Sequence, residues 1–321
     1  MVAFPPPLSA QRKRTGDINH DDVTQSLSPV DAVSAFAALI PLALQVSTVS
    51  LVFAMGLRTT WSDVIYLVRR PGQLARSLLS MNIAMPIVAT AINMALSLHP
   101  PVSSMLLALS LSPTPPLLPT KAIKAGGGGP YAAGLLVVAA VFSILSAPVA
   151  VELMERVFGI PLQLSPLAVA KVLLPMVIAP LLVGIILGRV VGAFGEVLSK
   201  WLSLAATVIL LGAVAAVYAA NWRALADLIG LGTVIALALF CLAAMAIGHL
   251  LGGPEPSDRT VLALATSSRH PGLAVAICLM NFPDEKGVLP VALIYLLVSA
   301  VSWVPYVTWR KRHGAASAIG L

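Results

Sequence analysis

The sequence predicts an all-α polytopic membrane protein with about nine transmembrane helices, from its composition and from two matched interruptions of apolar runs. Hydrophobic residues make up 58% of the 321 positions and charged residues 10%, whereas a soluble domain carries about 25% charged residues. The interruptions, Leu107–Pro116 and Leu262–Pro271, each open with Leu-Ala-Leu, pass through hydroxyl residues and reach a proline. In hydrocarbon, unpaired backbone is tolerated only where protein buries it or water reaches it. A matched pair of breaks is therefore typical of a transporter's binding site.

Nine segments are long enough to span a bilayer, which takes about 20 apolar residues. They are 34–57, 73–97, 102–125, 130–155, 165–190, 200–220, 224–251, 258–281 and 287–309. We interpret residues 1–33 as a polar, flexible tail and 310–321 as a cytoplasmic tail. The transmembrane domain, 34–309, would have a first half at 34–155 and a second half at 165–309.

The distribution of Lys and Arg predicts the orientation. With the N-terminus outside, the cytoplasmic helix ends carry Arg58, Arg69, Arg70, Arg76, Lys121, Lys124, Arg189, Lys200, Arg259, Arg310, Lys311 and Arg312. The outer ends carry only Arg156, Lys171, Arg223 and Lys286. This bias favours an outside N-terminus and a cytoplasmic C-terminus, and we expect a multi-pass protein of a bacterial inner membrane.

The two interrupted helices are predicted to run in opposite directions. The third runs from outside to inside and the eighth from inside to outside, five helices apart. The two halves are therefore predicted to be an inverted repeat, in which helices one to four match helices six to nine and helix five has no partner. Such repeats place the solute near the bilayer midplane, where the discontinuous helices cross.

Short motifs are spread over the predicted spans. They are Met55-Gly56-Leu57 followed by Asp63 and Arg69-Arg70-Pro71; Asn82 with Met85-Pro86; Ser112-Pro113; Ser146-Ala147-Pro148; and Gly272-Leu273-Ala274. Together they resemble the bile acid:sodium symporter family, whose wider group includes carriers of organic anions and arsenite. The resemblance covers nearly all of 34–309. It implies ten helices in an inverted five-plus-five plan with a panel part and a core part, and this chain resembles a divergent nine-helix member lacking the first helix.

The resemblance also identifies departures at the family's sodium ligands. The family has a Ser-Asn pair after the first break, hydroxyls on the next helix, and a Glu and a Gln four residues apart in the second broken helix. At these places the chain has Leu118-Pro119, then Leu136 and Ala140, then Ala265 and Arg269. A guanidinium in place of a carboxylate repels a cation. We therefore expect no bound sodium, no other metal and no cofactor.

Arg269 is the most informative candidate residue. It lies about 11 residues into the span 258–281, near the midplane, where an arginine costs about 2.5 kcal/mol or more. Three roles are open. In the first role, the fixed charge of Arg269 takes the place of the absent sodium ion and joins the crossing helices. In the second, the guanidinium binds a carboxylate or sulfate group of the solute. In the third, it donates hydrogen bonds to carbonyl groups that are freed at the breaks. The neighbouring His270 is either a proton-coupling group or a satisfied core histidine.

The remaining candidates are polar residues around the breaks. The hydroxyls either line a solute pocket or cap the half-helices, and they are Thr266, Ser267, Ser268, Ser112 and Thr114. Asn82 joins them, because the family match falls there. The breaks themselves are assigned to Pro113, Pro115, Pro116, Pro119, Pro271 and Gly272, since proline lacks an N–H and restricts the residue before it.

These observations predict a secondary carrier of small organic anions that works by alternating access without sodium. No Ser-His-Asp order, HExxH motif or carboxylate pair stands out, so we expect no enzyme, no catalytic residue and no nucleic-acid partner. The partners would be the organic anion and the lipid bilayer. Two alternatives stay open: a receptor or structural membrane protein derived from this fold, and a metalloid efflux carrier, although no cysteine lies at the first break.

Overall fold

The structure, a computed structural model, describes residues 29–158, 165–282, 284, 285 and 287–319. These residues form α-helices and two π-helical stretches and no β-strand, so the predicted fold class is confirmed. The helices are α1 (Pro29–Gly56), α2 (Trp61–Val64), α3 (Pro71–Leu78), α4 (Met85–Ala95), α5 (Pro100–Leu111), α6 (Leu118–Lys124), α7 (Gly129–Phe158), α8 (Pro166–Leu173), α9 (Ala179–Val191), α10 (Ala193–Leu228), α11 (Leu231–Leu251), α12 (Pro256–Ser267), α13 (Pro271–Asn281) and α14 (Val288–Ile319). The π-helical stretches are Leu79–Ala84, between α3 and α4, and Leu174–Ile178, between α8 and α9.

Contacts divide the chain into two units, Met1–Leu39 and Ile40–Leu321. The described residues of the first unit are the beginning of α1, and the packing described below is that of the second. Residues 1–28 of the predicted N-terminal tail lie outside the described residues, and so does Lys286. Helix α1 begins at Pro29, earlier than the predicted span at 34.

Eight helices in the described part are long and apolar enough to cross a membrane. They are Leu39–Gly56, Pro71–Ala95, Gly129–Leu153, Pro166–Val191, Ala193–Leu228, Gly232–Leu251, Pro256–Asn281 and Val288–Arg312. The remaining predicted segment, 102–125, corresponds to the shorter helices α5 and α6.

Two helix ends differ from the sequence prediction. The connection predicted at 221–223 is helical, because α10 continues to Leu228 and the turn follows there. Helix α14 continues to Ile319, through most of the predicted cytoplasmic tail at 310–321. Both differences in helix length have one cause. Hydropathy ends a span at the first polar or charged residues, whereas intrahelical hydrogen bonds continue into the interfacial region beyond the hydrocarbon.

The helix contacts have the arrangement that an inverted repeat predicts. Helix α4 packs on α5, and correspondingly α11 packs on α12; α6 packs on α7, and correspondingly α13 packs on α14. Across the repeat, α5 contacts α13 and α6 contacts α12. The two discontinuous helices therefore lie against each other and meet at their breaks, where the N–H of His270 donates to the carbonyl of Pro113. The surrounding core buries Cys241 and Cys278 as free thiols.

Helices α1, α9 and α10 pack closely through glycine and serine. A Cβ on Gly184 would lie 2.4 Å from the carbonyl oxygen of Phe53, and one on Gly56 would lie 2.5 Å from that of Leu181. Such distances are below any normal contact, so only glycine permits this approach of α1 and α9. The hydroxyl of Ser199 donates to the carbonyl of Ala54 at 2.6 Å and joins α10 to α1. The sequence prediction assigns the panel part to the spans 34–57, 165–190 and 200–220, which these helices overlap.

Candidate functional site

The prolines at the two breaks remove amide donors from specific carbonyl groups. In an α-helix the carbonyl of residue i accepts from the N–H of residue i+4. Pro116 stands four residues after Ser112, and Pro271 stands four residues after Ser267. Since proline has no N–H, the carbonyls of both serines need other donors.

The break residues predicted from the sequence fall into two groups. Pro113, Pro115 and Pro116 lie between α5 and α6, in the non-helical connection itself. The other three lie at the beginnings of half-helices: Pro119 in the first turn of α6, and Pro271 and Gly272 in the first turn of α13. Proline is tolerated there because the first-turn N–H groups have no intrahelical acceptor.

A third carbonyl is freed in the π-helical stretch Leu79–Ala84, which lies beside the breaks. In a π-helical register the carbonyl of Met81 would accept from residue 86, and that residue is Pro86. The Met85-Pro86 motif thus leaves the Met81 oxygen without a backbone donor. This residue is itself buried, so water does not replace the missing partner.

The side chain of Arg269 supplies donors to the freed carbonyls. Its Nη2 donates to the Met81 carbonyl at 2.9 Å and its Nη1 to the Ser112 carbonyl at 3.0 Å. Its Nε donates to the carbonyl of Thr266 at 3.1 Å. One guanidinium group therefore joins the first break, the π-helical stretch and the end of α12.

The charge of Arg269 is held by carbonyl dipoles. The residue is 2% exposed, and the one ion pair among the described residues joins Arg156 to Glu152 at the surface. Burying an unpaired charge is very costly unless hydrogen bonds surround it. The planar guanidinium group has five N–H donors, so it can donate hydrogen bonds to several carbonyl groups at once.

Two aromatic residues of α14 bind the second break, and the sequence analysis did not single them out. The hydroxyl of Tyr295 accepts from the backbone N–H of Arg269 at 2.7 Å and donates to the carbonyl of Ser267 at 3.0 Å. The indole of Trp303 donates to the Ser267 hydroxyl at 3.0 Å. A tyrosine in an apolar span was the available signal, because a buried phenol needs a hydrogen-bond partner.

Most of the predicted hydroxyl residues bond within their own helix. Ser112 donates to Ala108 at 2.8 Å and Ser268 donates to Leu264 at 2.6 Å, in both cases to carbonyls of the last helical turn. The hydroxyls of Ser267 and Thr266 also have partners, the latter being Ser80 at 2.7 Å. In this conformation these groups cap or brace the half-helices.

Thr114 is different from the other hydroxyl residues. It lies in the first break, it is buried, and its Oγ1 has no hydrogen-bond partner among the described residues. By the spacing of the two matched breaks, it occupies the position equivalent to Arg269. Most buried polar groups are hydrogen-bonded, so this hydroxyl is an exception among the polar groups of the two breaks.

His270 joins the two breaks through its backbone. Its N–H donates to the carbonyl of Pro113 at 2.9 Å. Its Nδ1 accepts from the N–H of Leu273 at 3.2 Å and so caps α13. An accepting Nδ1 carries no proton, which makes His270 a structural cap in this arrangement.

Asn82 belongs to a separate polar pair. Its side-chain oxygen accepts from the hydroxyl of Ser146 on α7 at 3.3 Å, and its amide donates to Leu78 at 3.4 Å. It follows Met81 on the π-helical stretch, but no hydrogen bond among the described residues joins it to Arg269. The Asn82–Ser146 pair brings together two of the motifs that the sequence analysis identified.

Metal-ligating clusters and grooves elsewhere in the described part of the chain can be compared with the breaks. The described residues contain no group of three or more His, Cys, Asp or Glu side chains that could hold a metal ion. An open groove of about 430 Å³ lies between α1 and the segment formed by the π-helical stretch Leu174–Ile178 and α9, away from the breaks. Its lining is mainly apolar: Val49, Ser50, Phe53, Pro175, Ala179, Pro180 and Val183.

Comparison with known families supports the resemblance noted in the sequence. The model of the sodium bile acid symporter family matches residues 46–228, more than half of the chain. The match includes the first broken helix and ends before α12 and α13, which carry Arg269. No match was found among curated proteins. With its membrane-spanning helices and two breaks, this chain belongs to the sodium bile acid symporter family, a family of membrane transporters.

Proposed function

We propose that the protein is a secondary-active carrier of small organic anions, working by alternating access and without sodium. The observation that carries the proposal is the contact set of the Arg269 guanidinium, which reaches three carbonyl oxygens at 2.9–3.1 Å from three different segments. Carbonyl oxygens turned toward one point attract a cation, and here a covalently attached cation occupies that point.

A fixed charge has a consequence for coupling. A bound sodium ion leaves and returns in each cycle, so its gradient drives transport. Arg269 cannot dissociate, and it keeps the crossing assembled in every state. Its positive charge, with the N-terminus of α13 directed at the break, favours an anion there. Uptake would then be driven by the concentration gradient of the anion, or by the proton gradient if His270 takes part.

The solute site is assigned to the crossing of the broken helices. Its polar groups would be Arg269, His270, Ser268, Ser112, Thr114 and Asn82, with Ser267 and Thr266 behind them. Thr114 provides a free hydroxyl in this conformation, and the two spare N–H groups of the guanidinium could meet a carboxylate. Motion of the core against the panel would expose the crossing to each side in turn.

The test is flux into proteoliposomes. A counterflow screen with carboxylates, sulfated steroids and keto acids would identify the solute, and replacement of sodium by choline should leave uptake unchanged. We expect Arg269→Ala to abolish uptake, whereas Arg223→Ala, at an exposed site on α10, should retain it. Sodium-dependent uptake, or full uptake by Arg269→Ala, would contradict the proposal.

One observation favours a second candidate, a receptor that binds a solute without moving it. Apart from Thr114, the hydroxyl groups at the breaks are bonded within the protein, so the crossing is held firmly together. Thermal stabilisation by a solute without measurable flux would support the receptor. Counterflow of the same solute would support the carrier.

A further inference from the structure

Three arginines surround the turn between α11 and α12, at the membrane face that the positive-inside bias assigns to the cytoplasm. The terminal nitrogens of Arg76 lie 3.2 Å from the position that a Cβ on Gly253 would occupy. Nε of Arg259 donates to the carbonyl of Gly253 at 2.6 Å. Arg310, from α14, donates to the Thr260 hydroxyl at 2.8 Å. We call Arg76, Arg259 and Arg310 the arginine cluster.

The members of the arginine cluster are fixed in place through backbone contacts. Nε of Arg76 donates to the carbonyl of Gly72 at 3.2 Å, and Arg310 also donates from Nη2 to the carbonyl of Pro256 at 2.7 Å. Among the described residues, both terminal nitrogens of Arg76 and of Arg259 make no hydrogen bond. An arginine whose Nε is held by the protein and whose two Nη groups are free is well arranged to bind a phosphate through two hydrogen bonds.

The nearby acidic residues do not neutralise the arginine cluster. Asp258 is buried and accepts from the side-chain amide of Gln73 at 2.7 Å. Glu255 is exposed on the turn, and neither acid forms an ion pair within the described residues. Arg70 lies close enough to Asp258 to act on it electrostatically, as Arg76 does. The local charge is therefore positive.

An aromatic group of α11 and α14 adjoins the arginine cluster. The rings of His249 and Tyr306 lie 5.8 Å apart, those of His249 and Trp309 lie 5.5 Å apart, and the Tyr306 hydroxyl donates to the carbonyl of Arg259. Trp309 is 41% exposed and Leu250 is 80% exposed. Aromatic residues of this kind mark the level of lipid headgroups.

We propose that the arginine cluster is a binding site for the headgroup of an anionic phospholipid, which is independent of the proposed transport activity. The phosphate would lie on the free guanidinium forks of Arg76 and Arg259, with Arg310 beside them. The acyl chains would lie along the exposed apolar surface at Leu250. Basic pockets between transmembrane helices on the cytoplasmic side bind such lipids. A lipid fits better than a soluble anion, because the charged and lipid-facing surfaces are contiguous.

The test measures lipid binding to the purified full-length protein by native mass spectrometry in a neutral detergent. Phosphatidylglycerol should bind more tightly than phosphatidylcholine. Each arginine near the surface accounts for about fivefold in affinity, so Arg76→Gln with Arg259→Gln should weaken phosphatidylglycerol binding about 25-fold. The matched control, Arg156→Gln with Arg223→Gln, removes two arginines of the opposite end and should bind phosphatidylglycerol as the unmodified protein does.

Two further measurements distinguish a lipid phosphate from a soluble phosphate and control for a variant that does not fold. Glycerol phosphate and inorganic phosphate should not displace phosphatidylglycerol at millimolar concentration; displacement by either would identify a soluble-anion site instead. If the double variant does not fold, Arg76→Lys, which keeps the charge without the fork, should bind the lipid severalfold more weakly. Equal binding of the two lipids, or unchanged binding by the variants, would overturn the proposal.

Discussion

Replacing Arg269 by alanine is the most direct perturbation of the crossing. The change leaves the carbonyls of Met81, Ser112 and Thr266 without their donor. A buried acceptor without a partner costs about 1–3 kcal/mol, so three cost about 3–9 kcal/mol. Removing a buried charge that has no acidic partner acts in the opposite direction. We therefore expect a net loss close to the lower limit, about 3 kcal/mol.

The assay is thermal unfolding in detergent, followed by tryptophan fluorescence. At about 1.5–2 °C per kcal/mol for a chain of 321 residues, the midpoint of Arg269→Ala should fall by about 4–6 °C. Guanidinium chloride at a few millimolar, far below denaturing concentrations, should refill the vacated place and restore part of the loss, whereas choline chloride should not.

The outcome has clear controls. Arg223→Ala removes an exposed arginine and should leave the midpoint within about 1 °C, because such surface changes cost little. An unchanged midpoint for Arg269→Ala would refute the assignment of these hydrogen bonds to stability. Equal recovery with choline would refute the view that the three carbonyls form a specific cation site.

Three further predictions concern other residues, two of them at the breaks and one between α1 and α9. Tyr295→Phe deletes a hydroxyl with two hydrogen bonds at the second break and should cost about 2 kcal/mol; a thermal midpoint equal to that of the unmodified protein would contradict it. Gly184→Val places a side chain against the Phe53 carbonyl, 2.4 Å from where a Cβ would stand, and should separate α1 from α9, seen as lower yield of folded protein in gel filtration; a normal profile would contradict it. Thr114→Val removes an unpaired hydroxyl at nearly constant shape, so stability should be unchanged or slightly higher while solute uptake falls severalfold; normal uptake would remove Thr114 from the proposed site.

The sequence predicted the helices and the breaks well, because these follow from local chemistry. An apolar run of about 20 residues has few alternatives to a spanning helix, and a proline removes the same donor in any surroundings. The ends of α10 and α14 were less predictable, since helices continue past the residues at which hydropathy falls. The substrate-binding role of Arg269 and its neighbours remains a prediction.

The partners of the break residues were beyond the reach of sequence reasoning. Tyr295 and Trp303 stand in an apolar span that contains no other sign of a role at the second break. Pro86 was part of a recognised motif, but the carbonyl that it frees becomes visible only with the π-helical register of Leu79–Ala84. The partner of Asn82, which is Ser146 and not Arg269, was equally undetermined, because adjacent residues on a helix face different neighbours.

By itself the sequence determined the membrane class, the order of the apolar segments, the places of both interruptions and the presence of an arginine in the second interruption. Each of these depends on residues close together along the chain. Only the tertiary structure decided what that arginine does: it binds carbonyls of Ser112, 157 residues away, and of Met81, 188 residues away. Prolines specify locally which oxygens lose their donors, but the donors that replace them come from whichever segment the packing brings within 3 Å or so.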